Sequence, residues 1–325
     1  MKLKEKVLLL LKTREGEFLS GQELAEQLEV TRAGIWKAIK ALQEEGYPIE
    51  AITNRGYALQ SMPDILSVVG IKQELLKENQ YLHVEVEKQI DSTNTRLKQM
   101  VTEGEHRDMV LLAEEQTQGR GRFGRAFFSP YGTGLYMSFL LHPQLQYREG
   151  ELLTISAAVA VAKAIEKISG EEAQIKWVND IWMRGRKIAG ILTEASTSLE
   201  SGQLEYAIIG IGINVTEPAQ GFPEELKDIA HSVFPKAIKK ENLRNQLAGE
   251  IINQFMSCYG EIRERKFLEE YKKRSFVVGK DISVLRMGQK RNAKALEVDD
   301  QCHLKVQYED GTIEYLSSGE VSIRV

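Results

Sequence analysis

Residues 119–125, Gly-Arg-Gly-Arg-Phe-Gly-Arg, interleave glycine with a side chain that stays cationic at every working pH. Glycines leave backbone N–H groups free to form an anion-binding nest, and guanidiniums add charge-assisted, bidentate hydrogen bonds. Arg120, Arg122 and Arg125 fall within six residues and repel one another unless an anion or an acidic partner joins them. The competing reading is a flexible RGG-type loop on RNA or DNA. Against it stand the apolar run Val110–Ala113 ahead of the loop, the aromatics Phe127 and Phe128 behind it, and a net charge of −4. A dinucleotide turn is a poor match, because no βαβ unit with an acidic residue about 20 positions on is apparent.

Three more stretches carry chemical groups. Asp91-Ser92-Thr93-Asn94 offers hydroxyl and amide groups to a buried polar ligand, or simply caps a following helix. Lys176-Trp177-Val178-Asn179-Asp180 followed by Gly185–Leu192 predicts a hairpin projecting Asp180 and Lys187 from one end of a sheet. Lys187 suits neutralisation of a carboxylate or phosphate, and it equally suits an ordinary strand edge. Ile208-Ile209-Gly210-Ile211-Gly212-Ile213-Asn214-Val215 reads as a buried strand whose glycines permit close ligand approach or tight sheet packing.

These groups need a scaffold, and the chain supplies one in three parts. Residues 63–275 alternate candidate strands (84–90, 109–115, 134–141, 175–178, 187–193, 206–215) with helices at 152–168 and 241–271. That pattern predicts helices packed on a mixed or antiparallel sheet. Residues 276–325 predict five short strands (277–285, 290–298, 303–308, 312–316, 321–325) and a small SH3-like barrel.

Residues 1–62 read as three helices and a two-stranded wing, a winged helix-turn-helix. Ser20 with Glu23 makes a capping-box pattern, Thr31 caps the third helix, and Gly46 stops it. Thr31, Arg32, Trp36, Lys37 and Lys40 lie off the apolar Ile35/Ile39/Leu42 face, where they can meet DNA. Arg55 at the wing tip can reach phosphates or a minor groove. Residues 1–62 hold nine basic and nine acidic side chains, so one head alone attracts DNA weakly and two must pair. A protein-interaction head with a solvated basic face is the alternative.

The composition excludes several classes. Cys258 and Cys302 lack metal-ligand spacing, and the five histidines are scattered, so neither a zinc site nor a histidine-based triad is expected. The apolar run 7–11 is too short for a signal peptide, and no run approaches a membrane span. A cytoplasmic, non-membrane protein is expected.

The motifs GRGRFGR (119–125), KWVNDIW (176–182), GRKIAGIL (185–192) and IGIGINV (209–215), in this order behind a winged helix, resemble the bifunctional biotin–protein ligases that double as biotin-operon repressors. The similarity runs along essentially the whole chain. It implies joining of biotin's carboxylate to the α-phosphate of ATP, then transfer from biotinyl-5′-adenylate to a lysine of a biotin carboxyl carrier protein. The resemblance assigns Ser92, Thr93, Asn94 and Gln116 to biotin's ureido ring and pocket, and Arg120, Gly121 and Arg122 to a closing loop. It places Lys187 on the carboxylate and nascent anhydride, with Lys187 and Arg122 as the catalytic pair. Asn214 falls to the nucleotide, Asp180 to Mg²⁺, and Arg324 to a carboxy-terminal arginine that reaches ATP. Phe127 stands where the family often carries tryptophan, and either ring can pack on adenine. Operator DNA and a homodimer formed with the adenylate as corepressor are further implications. A lipoate-type ligase is the runner-up, and KWVND with GRKIAG behind GRGRFGR favours biotin. A ligand-sensing transcription factor without catalysis is a third reading, opposed by Arg120, Arg122 and Lys187 together.

Overall fold

The computed structural model describes residues 2–198, 200–235, 241–286 and 288–323. The chain divides into two compact units, Met1–Leu75 with Ile238–Gly249, and Leu76–Ala237 with Glu250–Val325.

In the first unit, α1 (Leu3–Thr13), α2 (Gly21–Gln27) and α3 (Arg32–Glu44) precede the antiparallel pair β1 (Ile49–Ile52) and β2 (Gly56–Leu59). The helices start where hydroxyls replace missing intrahelical partners: Ser20 accepts from the Glu23 N–H at 3.0 Å and Thr31 from the Gly34 N–H at 3.1 Å. Only half of the expected capping box forms, because the Glu23 carboxylate takes the Arg14 guanidinium at 2.8 Å instead. Val7, Leu8, Leu11, Leu24, Ile35, Ile39 and Leu42 share one core, as their helical spacing requires. Gly56 has φ +107°, and a Cβ there would stand 2.1 Å from the Leu19 carbonyl oxygen, so the wing turn demands glycine. A fourth helix, α4 (Val68–Glu74), adds Val69 to the same core. Asp64 and Ser67 just ahead of it are held by the backbone N–H and side chain of Arg244 and by Asn245.

The second unit is built on a seven-stranded sheet in the order β3-β4-β5-β9-β8-β7-β6. The strands are β3 (His83–Glu87), β4 (Met109–Ala113), β5 (Gly134–Leu141), β6 (Gln174–Lys176), β7 (Asp180–Met183), β8 (Arg186–Thr197) and β9 (Leu204–Asn214). Only β3 and β4 run parallel, so the sheet is mixed. Between strands lie α5 (Thr93–Thr102) and α6 (Glu151–Ser169), followed by α7 (Leu243–Gly260) and α8 (Phe267–Arg274). Leu97 of α5 packs with Met109, Leu111, Leu140 and Ile208 on one sheet face. Phe139, the neighbour of Leu140 and therefore on the opposite face, lies 4.5 Å from the Phe255 ring of α7. The sheet is thus covered on both sides, which explains why every residue of β4 and β5 is buried. The 241–271 helix expected from the sequence is two helices, interrupted at residues 261–266.

Five antiparallel strands end the chain: β10 (Asp281–Arg286), β11 (Gln289–Val298), β12 (Leu304–Tyr308), β13 (Ile313–Leu316) and β14 (Glu320–Ile323), ordered β13-β12-β11-β10-β14. The first begins later than its sequence pattern suggests, because Gly279 takes φ +81° and turns the backbone ahead of Asp281. The five short strands expected of a small SH3-like barrel are all present, with β13 and β14 at the two ends of the strand order.

Candidate active site

The buried strand β9 forms the floor. A Cβ on Gly210 would lie 2.3 Å from Asn94 Oδ1, and one on Gly212 would lie 2.7 Å from the Phe127 ring. The two strand glycines therefore make room for side chains reaching in from α5 and from the segment after the arginine loop. Of the two alternatives open at the level of sequence, close ligand approach and tight packing, the structure shows packing of protein side chains against both glycines.

Ser92, Thr93 and Asn94 are all buried at the start of α5. Ser92 occupies the N-cap position, yet its hydroxyl makes no capping bond. Gln116 does that work, its Oε1 accepting from the Thr93 N–H at 2.9 Å, while its Nε2 donates to Ser129 Oγ at 3.0 Å. Ser138 Oγ on β5 sits 2.6 Å from Thr93 Oγ1 and 2.7 Å from Asn94 Oδ1. Asn94 Nδ2 donates to Glu194 Oε2 at 2.8 Å. A buried polar network of this kind fixes each rotamer and presents donors and acceptors in set directions.

The arginine loop is closed at its base by Phe127 N–H to the Gly119 carbonyl at 2.8 Å and Gly121 N–H to the Arg125 carbonyl at 2.7 Å. Phe123 forms its tip, with φ +57° and 68 % exposure. The three arginines diverge. Arg122 points inward and donates to Asn179 Oδ1 at 3.0 Å, Arg120 lies 3.8 Å from Glu194, and Arg125 pairs with Glu320 of β14 at 2.6 Å. Acidic or amide partners thus separate charges that would otherwise repel. Burial lowers the Arg122 pKa, with Asp180 acting in the opposite sense. A desolvated cation of this kind gains most from an arriving anion.

The single hairpin expected around Asp180 and Lys187 is instead a three-strand meander. Asp180 opens β7, which pairs with both β6 and β8, because the chain turns at Trp177–Asn179 rather than continuing. Lys187 Nζ lies 2.7 Å from Asp180 Oδ1, both side chains partly exposed. Asn214, at the end of β9, donates to the His231 carbonyl at 3.2 Å.

All of these residues line one cavity of about 920 Å³: Ser92, Thr93, Asn94, Gln116, Arg120, Gly121, Arg122, Phe127, Asp180, Lys187 and Asn214. Arg324 lies outside the described residues. Sequence reasoning passed over three further groups. Lys176 lines the cavity, and burial lowers its pKa, Asp180 opposing and Lys187 adding to the shift. Trp182 lines it too, with an indole N–H that is buried and has no hydrogen-bond partner in the protein. Glu194 is held by Lys98 at 2.6 Å and by Asn94. Burial would raise its pKa, but these bonds and Arg120 win, and the net shift is downward. Lys176 and Trp182 stand inside the KWVNDIW motif and were open to notice; Glu194 sits in a strand with no local signal.

In the first unit, Thr31, Arg32, Trp36, Lys37 and Lys40 are exposed along α3, as is Arg55 on the wing turn. Trp36 is 53 % exposed, and Arg55 lies 4.2 Å above the Phe18 ring. The structure thus places the basic and aromatic side chains of α3 on the face opposite its core residues.

Comparison with known proteins agrees with this layout. Residues 3–58 match an HTH domain, residues 86–214 the biotin/lipoate A/B protein ligase family, and residues 277–324 the biotin protein ligase C-terminal domain. The chain is 33 % identical over 315 residues to the bifunctional ligase/repressor BirA of Bacillus spizizenii, covering 94 % of each protein. It is 28 % identical over 246 residues to the biotin–[acetyl-CoA-carboxylase] ligase of Mycobacterium tuberculosis, covering 73 % of this chain and 88 % of that one. The biotin protein ligase of Aquifex aeolicus, solved with biotin and ATP, superposes with a TM-score of 0.62 at 28 % identity over 74 % of this chain and 98 % of that one. With a helix-turn-helix head, a mixed-sheet catalytic core and an antiparallel C-terminal sheet, the chain belongs to the biotin protein ligase family, in its bifunctional ligase/repressor branch.

Proposed function

We propose that this protein activates biotin with ATP in the 920 Å³ cavity and passes it to a lysine of a biotin carboxyl carrier protein. The observation that carries the reading is the convergence of Arg120, Arg122 and Lys187 on a cavity whose floor presents Ser92, Thr93 and Asn94. The small polar groups suit a ureido ring, which needs donors and an acceptor in fixed places. The cations suit a carboxylate and an α-phosphate meeting at one point. The carboxylate oxygen attacks the α-phosphorus, an O–P bond forms, and pyrophosphate leaves with the bonding pair. Lys187 and Arg122 offset the charge that gathers there, so no covalent enzyme intermediate is required. Phe127 offers a face to adenine and Asn214 a hydrogen bond to the ribose or phosphate, and Arg324 is assigned to the nucleotide as well.

Asp180 is the residue proposed to meet Mg²⁺. Among the described residues, no group of three or more acidic, histidine or cysteine side chains is placed to hold a metal ion by itself. One carboxylate fits Mg²⁺ only when phosphate oxygens complete the shell, which ATP supplies. The ion would contribute neutralisation of the phosphates, and Asp180 would then divide its charge between the ion and Lys187.

The head is proposed to bind operator DNA through Thr31, Arg32, Trp36, Lys37, Lys40 and Arg55, as a homodimer favoured by the adenylate. Its balanced charge supports paired binding. We assign residues 1–62 to DNA binding, 63–275 to catalysis and 276–325 to the C-terminal sheet, in a cytoplasmic protein. No helix of the described residues is long and apolar enough to cross a membrane.

Biotinylation of a carrier protein with and without ATP tests the enzymatic reading, with Lys187→Ala and Arg122→Gly as controls. ATP-independent labelling, or equal pyrophosphate release with lipoate, would refute it. Operator affinity indifferent to biotin and ATP at matched ionic strength would refute the corepressor reading.

A further inference from the structure

Behind Arg122 lies a second, smaller cavity of about 270 Å³. It shares Arg122, Phe123, Ile191 and Leu192 with the main cavity, so the two spaces are divided by a few side chains of the loop and of β8. Its one acidic lining residue is Glu151, in the first turn of α6. Thr154 and Thr193 also line it, hydrogen-bonded to each other at 2.7 Å, and Ser317 and Ser318, both exposed, mark its outer side. Apolar wall, carboxylate and outward opening form a slot that matches an alkyl chain ending in an ammonium ion. Of its lining residues, only Arg122 is used in the adenylation step.

We infer that this second cavity receives the acceptor lysine, and that Glu151 pairs with its ammonium group and takes its first proton. The inference rests on the transfer reaction proposed above. Burial already raises the Glu151 pKa, while His303 and Arg122 oppose the shift and Asp299 adds to it. A carboxylate under that pressure is a better proton acceptor than an exposed one. The lysine ammonium gives one proton to Glu151 and becomes a free amine. Its lone pair attacks the acyl carbon of the adenylate, a C–N bond forms and the C–O bond to phosphate breaks. AMP leaves with that bonding pair, and the second nitrogen proton passes to its phosphate or to water. Arg122, Phe123, Ile191 and Leu192 line both cavities, and the amine reaches the acyl carbon by passing between them.

The test compares wild type, Glu151→Gln, Glu151→Lys and Glu151→Asp in the full-length protein. Three readouts are taken: pyrophosphate release from biotin and ATP without acceptor, capture of the adenylate by hydroxylamine, and kcat and KM for a biotin carboxyl carrier protein. The expected result is a rise of tenfold or more in KM/kcat for the carrier with Glu151→Gln and a larger rise with Glu151→Lys. Glu151→Asp should recover part of the loss, and the first two readouts should stay within about twofold of wild type, since hydroxylamine is neutral and small. Carrier kinetics unchanged in both Gln and Lys variants would overturn the inference. A parallel loss in all three readouts would also overturn it, by making Glu151 a structural residue. Absence of pyrophosphate release in the wild type would instead refute the ligase reading itself.

Discussion

Lys187 Nζ and Asp180 Oδ1 are 2.7 Å apart across the β7–β8 pair, so the cation assigned to the reacting carboxylate is already held by a counter-charge. The pairing keeps the lysine side chain in place in the cavity before any substrate arrives. Removing the lysine leaves Asp180 facing the incoming carboxylate alone. Lys187→Ala is expected to lower the rate of adenylate formation by on the order of 10²–10³-fold, about 3–4 kcal/mol of transition-state stabilisation. Pyrophosphate release at saturating biotin and ATP measures it, and a loss below fivefold would remove Lys187 from the chemistry.

The floor glycines give a steric prediction. Gly210→Ala would put a methyl group 2.3 Å from Asn94 Oδ1, which must then leave its bonds to Glu194 and Ser138. Overpacking of this sort costs about 1–3 kcal/mol. Calorimetric titration should show weaker biotin binding in a chain that still unfolds cooperatively. Wild-type affinity in the variant would mean that Asn94 does not read the ligand.

Glu194 yields a pH prediction. Lys98, Asn94 and Arg120 hold its carboxyl below the ordinary value of 4.5 despite burial. Between the folded and unfolded pKa the unfolded chain binds more protons, so stability rises with pH there. The contribution is complete above pH 4.5 and is lost as pH falls through the lowered value. Thermal melts of wild type should therefore fall more steeply than those of Glu194→Gln on acidification below that point, and parallel curves would contradict the assignment.

For the head, Lys37→Ala or Lys40→Ala should weaken binding to specific and random DNA alike. If the residue meets a phosphate, the slope of log K against log salt shrinks by about one per head. Fluorescence anisotropy across a salt series reads this directly. A change confined to the specific operator would make the lysine a base reader instead.

Much of the fold was legible because its periodicities are local. The α3 pattern Ile35/Ile39/Leu42 and the hydroxyl caps at Ser20 and Thr31 need no distant partner, and all appear as expected. Strand β5 was readable to the residue, since a fully buried strand leaves a nearly continuous apolar run, interrupted here by Ser138. What stayed hidden depends on contacts far along the chain. The departure of Glu23 from its capping box is decided by Arg14, and α4 belongs to the head because Val69 finds that core. The strand status of Asp180 is set by β8, and the role of Gln116 in capping α5 by a separation of 23 residues. In the site, motif residues were visible as types, whereas Glu194 and Ser138 matter through distant partners, Asn94 common to both, which no spacing announces.

The glycines of β9 have one more consequence. Gly210 and Asn94, and likewise Gly212 and Phe127, each occupy a single volume between them. Neither glycine can enlarge unless its partner shrinks, so a larger residue at 210 or 212 should come only with a smaller one at 94 or 127 as relatives diverge. A ring larger than phenylalanine at 127 needs no compensation beyond the glycine already opposite it, while a larger residue at 210 would require a smaller one at 94. The floor can therefore be re-cut for a different acid only by paired substitutions, and single-site variants selected for new substrates should fall elsewhere in the cavity.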